Sequence, residues 1–129
     1  MRYLLDTHCL LWWLTEPERL SAEAVDIISD ADNDILVSVA SSWEIAIKYA
    51  LGKLPLPASP EQYLPSRLQR CRFGTLHIEH AHALRVALLP LHHRDPFDRL
   101  LIAQSQIDRV PIITVDRQFA AYKVKVIWG

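Results

Sequence analysis

The sequence predicts one α/β domain over residues 1–129, built on a mostly parallel central sheet. Three observations carry this prediction. Short, unbroken apolar runs rich in branched residues recur along the chain, and segments with helical spacing of apolar residues lie between them. Alternating strands and helices are typical of a parallel sheet covered on both faces. The chain is also 50% hydrophobic with only 3 glycines, so it can bury one sizeable core.

The predicted strands are the apolar runs that show no alternation with polar residues, because such runs are typical of strands buried on both faces. They cover residues 3–5, 35–37, 76–78, 112–115 and 124–128.

The predicted helices are recognised by apolar residues three and four positions apart. One contains Leu20, Ala24, Ile27, Ile28 and Ala31, and another contains Trp43, Ala46, Ile47, Ala50, Leu51 and Leu54. A third helix is predicted to begin at Pro60, with Ser59 as its N-cap and Gln62 reaching back toward the cap. Gly52 lies where the second helix is expected to stop.

The charges nearly balance, since 14 Lys+Arg and 15 Asp+Glu give a formal net charge of −1. No overall basic field therefore attracts nucleic acid, and such a partner would have to be held by local patches. Cys9 and Cys71 lie far apart without metal-ligand spacing, which favours free thiols in a reducing, cytoplasmic compartment. Asp6 and His8 interrupt the N-terminal apolar stretch, and no run approaches the roughly 20 residues of a membrane span.

Four acidic residues are predicted to meet at one edge of the sheet. Asp6 and Asp116 directly follow two predicted strands, at their carboxyl ends. Glu44 and Asp98 are predicted in the first turns of helices that follow strands, and such helices start at the same edge. Ligands of open α/β sheets bind at this edge.

Each of these acids also has a purely structural explanation. Three aspartates could be N-caps: Asp6 of the helix at Thr7, Asp95 of the helix at Pro96 and Asp116 of the turn at Arg117. Asp98 could interact with the dipole of the helix that begins at Pro96. Glu44 could form an ion pair with Lys48, four residues later in the same helix. Capping does not explain why all four acids should gather at one edge.

Charge repulsion sharpens the prediction of a cation site. Two carboxylates about 6 Å apart at an effective dielectric of about 20 repel by roughly 3 kcal/mol, and three such pairs by about 8 kcal/mol. That cost rivals the whole stability of a domain, about 5–15 kcal/mol. The cluster should therefore raise some pKa values or hold a cation, and oxygen ligands suit Mg²⁺ or Mn²⁺.

Four segments resemble, in order and spacing, the acidic motifs of PIN-domain proteins, and most closely those of VapC-type toxins from toxin–antitoxin pairs. The segments are LLDTH (4–8), SSWEI (41–45), DPFDRLLIAQ (95–104) and TVDRQF (114–119). The resemblance covers essentially the whole chain; its first and third motifs are the specific ones.

This resemblance implies a three-layer α/β/α sandwich and a site in which Asp6, Glu44, Asp98 and Asp116 bind Mg²⁺ or Mn²⁺. It further implies endonucleolytic cleavage of RNA that leaves a 5′-phosphate and a 3′-hydroxyl, a cognate antitoxin that blocks the site, and a homodimer.

The resemblance extends to residues beside the four acids. Thr7 and Thr114 match hydroxyl positions that support the site. Asp95 shares the third motif with Asp98, and it is either a helix cap or a ligand of a second metal. His92, His93 and Arg94 precede that motif and are predicted to contact phosphate at the site mouth, although a solvated loop is an equal alternative.

Three other features are weighed against simpler explanations. A zinc site at His77, His80 and His82 is disfavoured, because residues two apart lie on different sides of a helix. The basic cluster of Arg67, Arg70 and Arg72 is interpreted as a solvated helix face. The apolar segment 9–14 is expected to pack partly against the core and partly at a subunit or antitoxin interface.

Other functions remain open alternatives. A Mg²⁺-dependent phosphatase also uses a strand-end aspartate, but His8 stands where such enzymes usually carry a second one. A ribonuclease based on two histidines would cut without metal and leave a cyclic phosphate. A PIN-like module could bind RNA or protein without cutting.

Overall fold

The sheet has five strands, all parallel, in the order β3-β2-β1-β4-β5. The computed structural model describes residues 1–129. The strands are β1 (Arg2–Leu5), β2 (Asp34–Ser38), β3 (Gly74–Leu76), β4 (Ile112–Thr114) and β5 (Val126–Trp128). The helices are α1 (Thr7–Thr15), α2 (Ala22–Ser29), α3 (Val39–Ala50), α4 (Pro60–Cys71), α5 (His80–Arg85) and α6 (Pro96–Asp108), with 3-10 turns at Pro17–Arg19, Val86–Leu88 and Arg117–Ala121.

Two separate apolar cores lie on opposite faces of the sheet. Leu5 and Ile113 belong to one core, which α1, α2 and α4 cover, whereas Leu4 and Ile112 belong to the other, which α6 covers. Successive strand residues point to opposite faces, so neighbours in β1 and β4 supply both cores. The predicted three-layer α/β/α architecture is confirmed, and the sheet is wholly rather than mostly parallel.

The strand order reverses between β1 and β4. From β1 the chain proceeds through β2 to β3 on one side, and it returns to place β4 and β5 on the other. In open α/β sheets, the crevice beyond the carboxyl ends of the strands at such a reversal is the usual ligand position. Asp6 directly follows β1, and Asp116 is the second residue after β4.

Local sequence signals placed some element boundaries incorrectly. The third strand covers Gly74–Leu76 rather than residues 76–78, because it pairs with β2 from Leu36 to Ser38. Helix α3 begins at Val39, so Glu44 lies in its second turn rather than its first. Ser59 precedes α4 as its N-cap but makes no side-chain capping bond.

Helix α2 (Ala22–Ser29) excludes Leu20 and Ala31, α3 ends before Leu51 and Leu54, and β4 and β5 are shorter than the predicted strands 112–115 and 124–128. Three other predicted features are confirmed. Gly52 adopts a positive φ of 71° just beyond α3, a conformation that glycine adopts without strain. Asp6 caps α1, and Asp98 lies in the first turn of α6. None of the helices combines the length and apolarity needed to cross a membrane.

Candidate functional site

Asp6 and Asp116 are linked across the strand-order reversal by the hydroxyl of Thr114. This hydroxyl donates a hydrogen bond to Asp6 Oδ2 and accepts one, at 3.0 Å, from the backbone N–H of Asp116. The backbone N–H of Asp6 in turn donates to Ile113 O of β4 at 3.0 Å. The sheet register therefore fixes the positions of both acids, and Thr114 forms hydrogen bonds with each of them.

Asp6 serves as a helix cap and as a member of the cluster at once. Its Oδ1 accepts a hydrogen bond from the backbone N–H of Cys9 at 2.8 Å. Burial raises the pKa of Asp6, against the opposing effect of its hydrogen bonds from Thr114 and Cys9. A carboxylate has about four acceptor positions, so two accepted hydrogen bonds leave capacity for a further ligand.

Glu44 reaches the same region from α3 and is only 5% exposed. The Thr7 hydroxyl, which lies 2.9 Å from Ser41 Oγ, donates to Glu44 Oε1 at 2.7 Å. Lys48 Nζ lies 2.6 Å from Glu44 Oε2, so the expected helical ion pair is present. The pKa of Lys48 is raised first by its hydrogen bond to Glu44 and further by the negative charges of Glu44, Asp95 and Asp98.

Asp95 and Asp98 lie at the N-terminus of α6. Asp95 Oδ1 accepts hydrogen bonds from the backbone N–H groups of Phe97 at 2.9 Å and Asp98 at 3.0 Å. Asp95 is therefore the cap of α6.

The pKa of the Asp98 carboxyl is affected by the charges of the whole cluster. Burial raises its pKa to about 8, and the negative charges of Asp95, Glu44, Asp6 and Asp116 add to this effect. Acids from four separate parts of the chain thus act on one carboxyl group. The predicted increase of some pKa values in an acidic cluster is confirmed.

His93 contacts the acids directly. Its Nε2 lies 2.8 Å from Asp116 Oδ2 and 2.9 Å from Asp98 Oδ2. His92 is exposed and packs edge-on against Tyr122, and Arg94 is also exposed. Of the three residues predicted at the site mouth, His93 is the one that meets the cluster.

The donor atoms suit a hard divalent cation. His93, Asp98 and Asp116 offer ligand atoms that all lie within 4.8 Å of one another. Asp6 and Glu44 border this group without belonging to it. Carboxylate oxygens are hard ligands, which hard divalent cations prefer.

The disfavoured zinc site is not assembled. His82 is buried and bonded on both ring nitrogens, since Nδ1 accepts from the Glu79 N–H at 2.9 Å and Nε2 lies 3.1 Å from Asp108 Oδ2. It ties α5 to α6. His77 and His80 are exposed.

The two remaining features of the sequence have local explanations. Arg70 and Arg72 are exposed, and Arg67 lies 5.1 Å from the ring centroid of Tyr63. In the apolar segment 9–14, Cys9 and Leu10 are buried and the following four residues are half-buried against the first core. A subunit or antitoxin interface at this segment stays a prediction.

Sequence reasoning missed the side chains that hold His93 in place. The backbone N–H of His93 donates to Tyr122 Oη at 2.8 Å, and Arg99 donates to the backbone oxygen of His93 at 3.2 Å. Arg99 also donates to Val86, Leu89 and Pro90 carbonyls. The signal available in the sequence was an arginine directly after the third acid, which is unusual beside an apolar helix run.

Comparison with known proteins gives a consistent result. Residues 3–125 match the family model described as the PIN domain. The chain is 30% identical over 121 residues to Ribonuclease VapC22 of Mycobacterium tuberculosis, which covers 93% of this chain and 91% of that protein. It is 50% identical over 68 residues to Ribonuclease VapC16 of the same organism, a match that spans only 50% of this chain and 48% of the relative.

Solved structures share the fold. VapBC2 from Rickettsia felis bound to a DNA fragment from its promoter superposes with a TM-score of 0.75 at 13% identity, covering 99% of this chain and 98% of that one. A toxin–antitoxin complex from Klebsiella pneumoniae superposes with a TM-score of 0.65 at 20% identity, covering 97% and 95%.

Proposed function

Because the chain belongs to the PIN-domain family, we propose that it is a Mg²⁺- or Mn²⁺-dependent endoribonuclease in which Asp6, Glu44, Asp98 and Asp116 form the metal and catalytic site. One observation carries the proposal. The acids lie close together, since Asp98 Oδ2 and Asp116 Oδ2 are 2.9 Å and 2.8 Å from the same nitrogen, His93 Nε2, and burial together with the charges of the other acids raises the pKa of Asp98. Such an arrangement is costly in the chain alone and is relieved by a cation.

The chemistry follows from the side chains at the sheet edge. A divalent cation supplies, when bound, an activated water as nucleophile and positive charge against the phosphate. Asp98 and Asp116 present their oxygens to the crevice, while Thr114 and Thr7 fix the orientations of Asp6 and Glu44. Lys48, which pairs with Glu44, adds a cation beside the acids that can contact a phosphate group.

The partners belong to the same proposal. RNA is the substrate, a cognate antitoxin blocks the site, and two copies of the chain form a homodimer in the cytoplasm. The similar ribonucleases and the similar toxin–antitoxin complex support this assignment. His92 and Arg94 are exposed beside the cluster, where they could contact the RNA backbone.

The alternatives are weaker on physical grounds. A phosphatase with Asp6 as nucleophile would usually carry a second aspartate two residues later, and His8 occupies that position. A PIN-like module that binds without cutting has no need of four acids that repel one another.

Cleavage of end-labelled RNA tests the proposal. The chain would be incubated with single-stranded oligonucleotides and with structured RNA in Mg²⁺, in Mn²⁺ and in EDTA. We expect cleavage only with metal and 5′-phosphate products, and a loss of at least 100-fold in Asp6→Asn, because this change keeps the helix-cap acceptor while removing the charge.

The matched control is Asp26→Asn, an exposed aspartate on α2 away from the cluster, which should cut like the wild type. Equal cleavage by the Asp6→Asn protein would make the proposed site wrong. RNA retention without cleavage under any metal condition would favour the non-catalytic module. Metal-independent cleavage to a cyclic phosphate would favour a histidine-based ribonuclease.

A further inference from the structure

His93 occupies a position between two carboxylates that repel each other. Its Nε2 forms a hydrogen bond with Asp116 Oδ2 at 2.8 Å and lies 2.9 Å from Asp98 Oδ2. The side chain of His93 is 13% exposed, so little water competes for these contacts. The imidazole therefore contacts both acids through one nitrogen, with its hydrogen bond to Asp116.

The other ring nitrogen determines where the proton of the imidazole resides. The backbone N–H of Asp95 points at His93 Nδ1 at 3.1 Å. A backbone N–H can only donate, so Nδ1 must be an unprotonated acceptor, and the neutral ring then carries its proton on Nε2. A nitrogen that carries a proton cannot bind a metal, although it lies among ligand-type atoms.

The loop that carries His93 is fixed from both sides. Tyr122 Oη accepts the backbone N–H of His93, and Arg99 holds the backbone oxygen of the same residue. The imidazole also packs edge-on against Phe119, with 6.1 Å between ring centroids. The backbone and the ring plane are thereby fixed relative to Asp98 on α6 and to Asp116, which lies just beyond β4.

We propose that His93 is a positioning residue of the acidic site: as the Nε2–H tautomer, held by the backbone of Asp95, it holds Asp98 and Asp116 together and is not itself a metal ligand. The inference rests on the proposed metal site and deepens it. Carboxylates that bind metals are themselves oriented by hydrogen bonds, and loss of such a partner typically weakens metal binding by about 10–100-fold.

Two substitutions of His93 test the roles of its two ring nitrogens separately. In His93→Gln the side-chain amide nitrogen lies as many bonds from the backbone as Nε2, so a donor toward the acids is kept. In His93→Asn the side-chain oxygen takes the place of Nδ1, so the acceptor for Asp95 is kept and the donor is lost. His80→Gln is the matched control at an exposed histidine on α5, away from the acids.

Mn²⁺ binding, measured calorimetrically on the full chain without RNA, is the first readout. We expect His93→Gln and His80→Gln to bind within about threefold of the wild type, and His93→Asn to bind at least tenfold more weakly. Equal weakening in the glutamine and asparagine variants would make His93 a ligand and overturn the proposal. Unchanged binding in both would overturn it as well.

Nitrogen NMR of histidine-labelled, metal-free protein is the second readout, with the His93 signal assigned by its absence in His93→Gln. We expect the Nε2–H tautomer, and the Nδ1–H tautomer would overturn the proposal. If the wild-type chain binds no Mn²⁺, the proposed function is wrong. The NMR measurement then still shows whether His93 is the Nε2–H tautomer that the positioning role requires. If binding behaves as expected but RNA is not cut, the positioning role stands and the nuclease does not.

If His93→Asn fails to fold, Tyr122→Phe replaces it, because this change removes the hydroxyl that anchors the His93 backbone and leaves every acid intact. We expect Mn²⁺ affinity to fall several-fold. An affinity equal to that of the wild type would contradict the positioning role.

Discussion

Asp98 shows how burial and charge act together on a single residue. Its side chain is 20% exposed, and it lies 2.9 Å from His93 Nε2. Burial and the surrounding acids both favour its protonated form, which explains a pKa of about 8 in the folded chain against the ordinary aspartate value of 3.8. Between these two values the folded chain holds a proton that the unfolded chain has released.

The sign of the resulting pH dependence follows from linkage. The folded-state pKa is raised, so the stability associated with protonated Asp98 is present below pH 3.8 and is lost as the pH rises toward about 8. We therefore expect Asp98→Asn to stabilise the metal-free chain at pH 9 by a few kcal/mol more than at pH 5, since one pKa unit corresponds to about 1.4 kcal/mol. Urea unfolding in EDTA at both values measures the difference.

Asp26→Asn is the control for that comparison, because Asp26 is exposed on α2. Its effect on the free energy of unfolding should be within about 0.5 kcal/mol at both pH values. An identical effect of Asp98→Asn at pH 5 and pH 9 would contradict the raised pKa of Asp98.

The N-terminus of α6 is the element on which the cluster depends most. Asp95 caps it, Pro96 occupies its first position and Asp98 its third, so capping and the acidic site share one helical turn. The charge of Asp95 also contributes to the raised pKa of Asp98. Asp95 thus stabilises the helix and at the same time adds negative charge to the cluster, which a bound cation would offset.

Substitutions at Asp95 distinguish its role as a helix cap from a role as a metal ligand. Asparagine keeps the Oδ1 acceptor for Phe97 and Asp98, whereas alanine removes it. We expect Asp95→Ala to be about 1 kcal/mol less stable than Asp95→Asn. Mn²⁺ affinity of Asp95→Asn should stay within a few-fold of the wild type in calorimetric titrations. A loss of tenfold or more in this variant would identify Asp95 as a ligand.

The whole molecule exposes two apolar stripes at helical spacing. One is formed on α3 by Val39, Trp43 and Ile47, which are 37%, 56% and 36% exposed. The other is formed by Leu84, Leu88 and Leu91, which are 71%, 75% and 71% exposed. Trp43 packs edge-on against Phe97, the neighbour of Asp98, with 5.0 Å between ring centroids, so the α3 stripe borders the cluster. We therefore expect the proposed antitoxin to contact the α3 stripe and the proposed homodimer to use the leucine stripe, in addition to the interface predicted at segment 9–14.

We expect the purified chain to have twice its monomer mass in light scattering, and the double variant Leu84→Lys, Leu88→Lys to be monomeric while it still binds Mn²⁺, since charges in an apolar interface are costly to bury. The corresponding variant at Trp43 and Ile47 should stay dimeric. A monomeric wild type, or a dimer that survives the leucine substitutions, would contradict this arrangement.

The arrangement of the acids was largely predictable from sequence, and their interaction with histidine was not. Asp6 and Asp116 follow strands whose apolarity identifies them, and the parallel sheet brings their ends together. The bounds of β3 were misplaced because its pairing with β2, rather than its own apolar pattern, decides which residues form the strand. The start of α3 was misplaced because the Ser38 side chain caps the helix immediately after β2.

By itself, the sequence determined the α/β layering, the sheet edge and the residues that supply the acids, since these depend on periodicity and on the order of elements along the chain. Only the tertiary structure decided that His93 lies between Asp98 and Asp116 and which of its nitrogens carries the proton. The physical reason is that these contacts depend on the path of a loop, and that path is set by hydrogen bonds from Arg99 and to Tyr122, which no local pattern encodes.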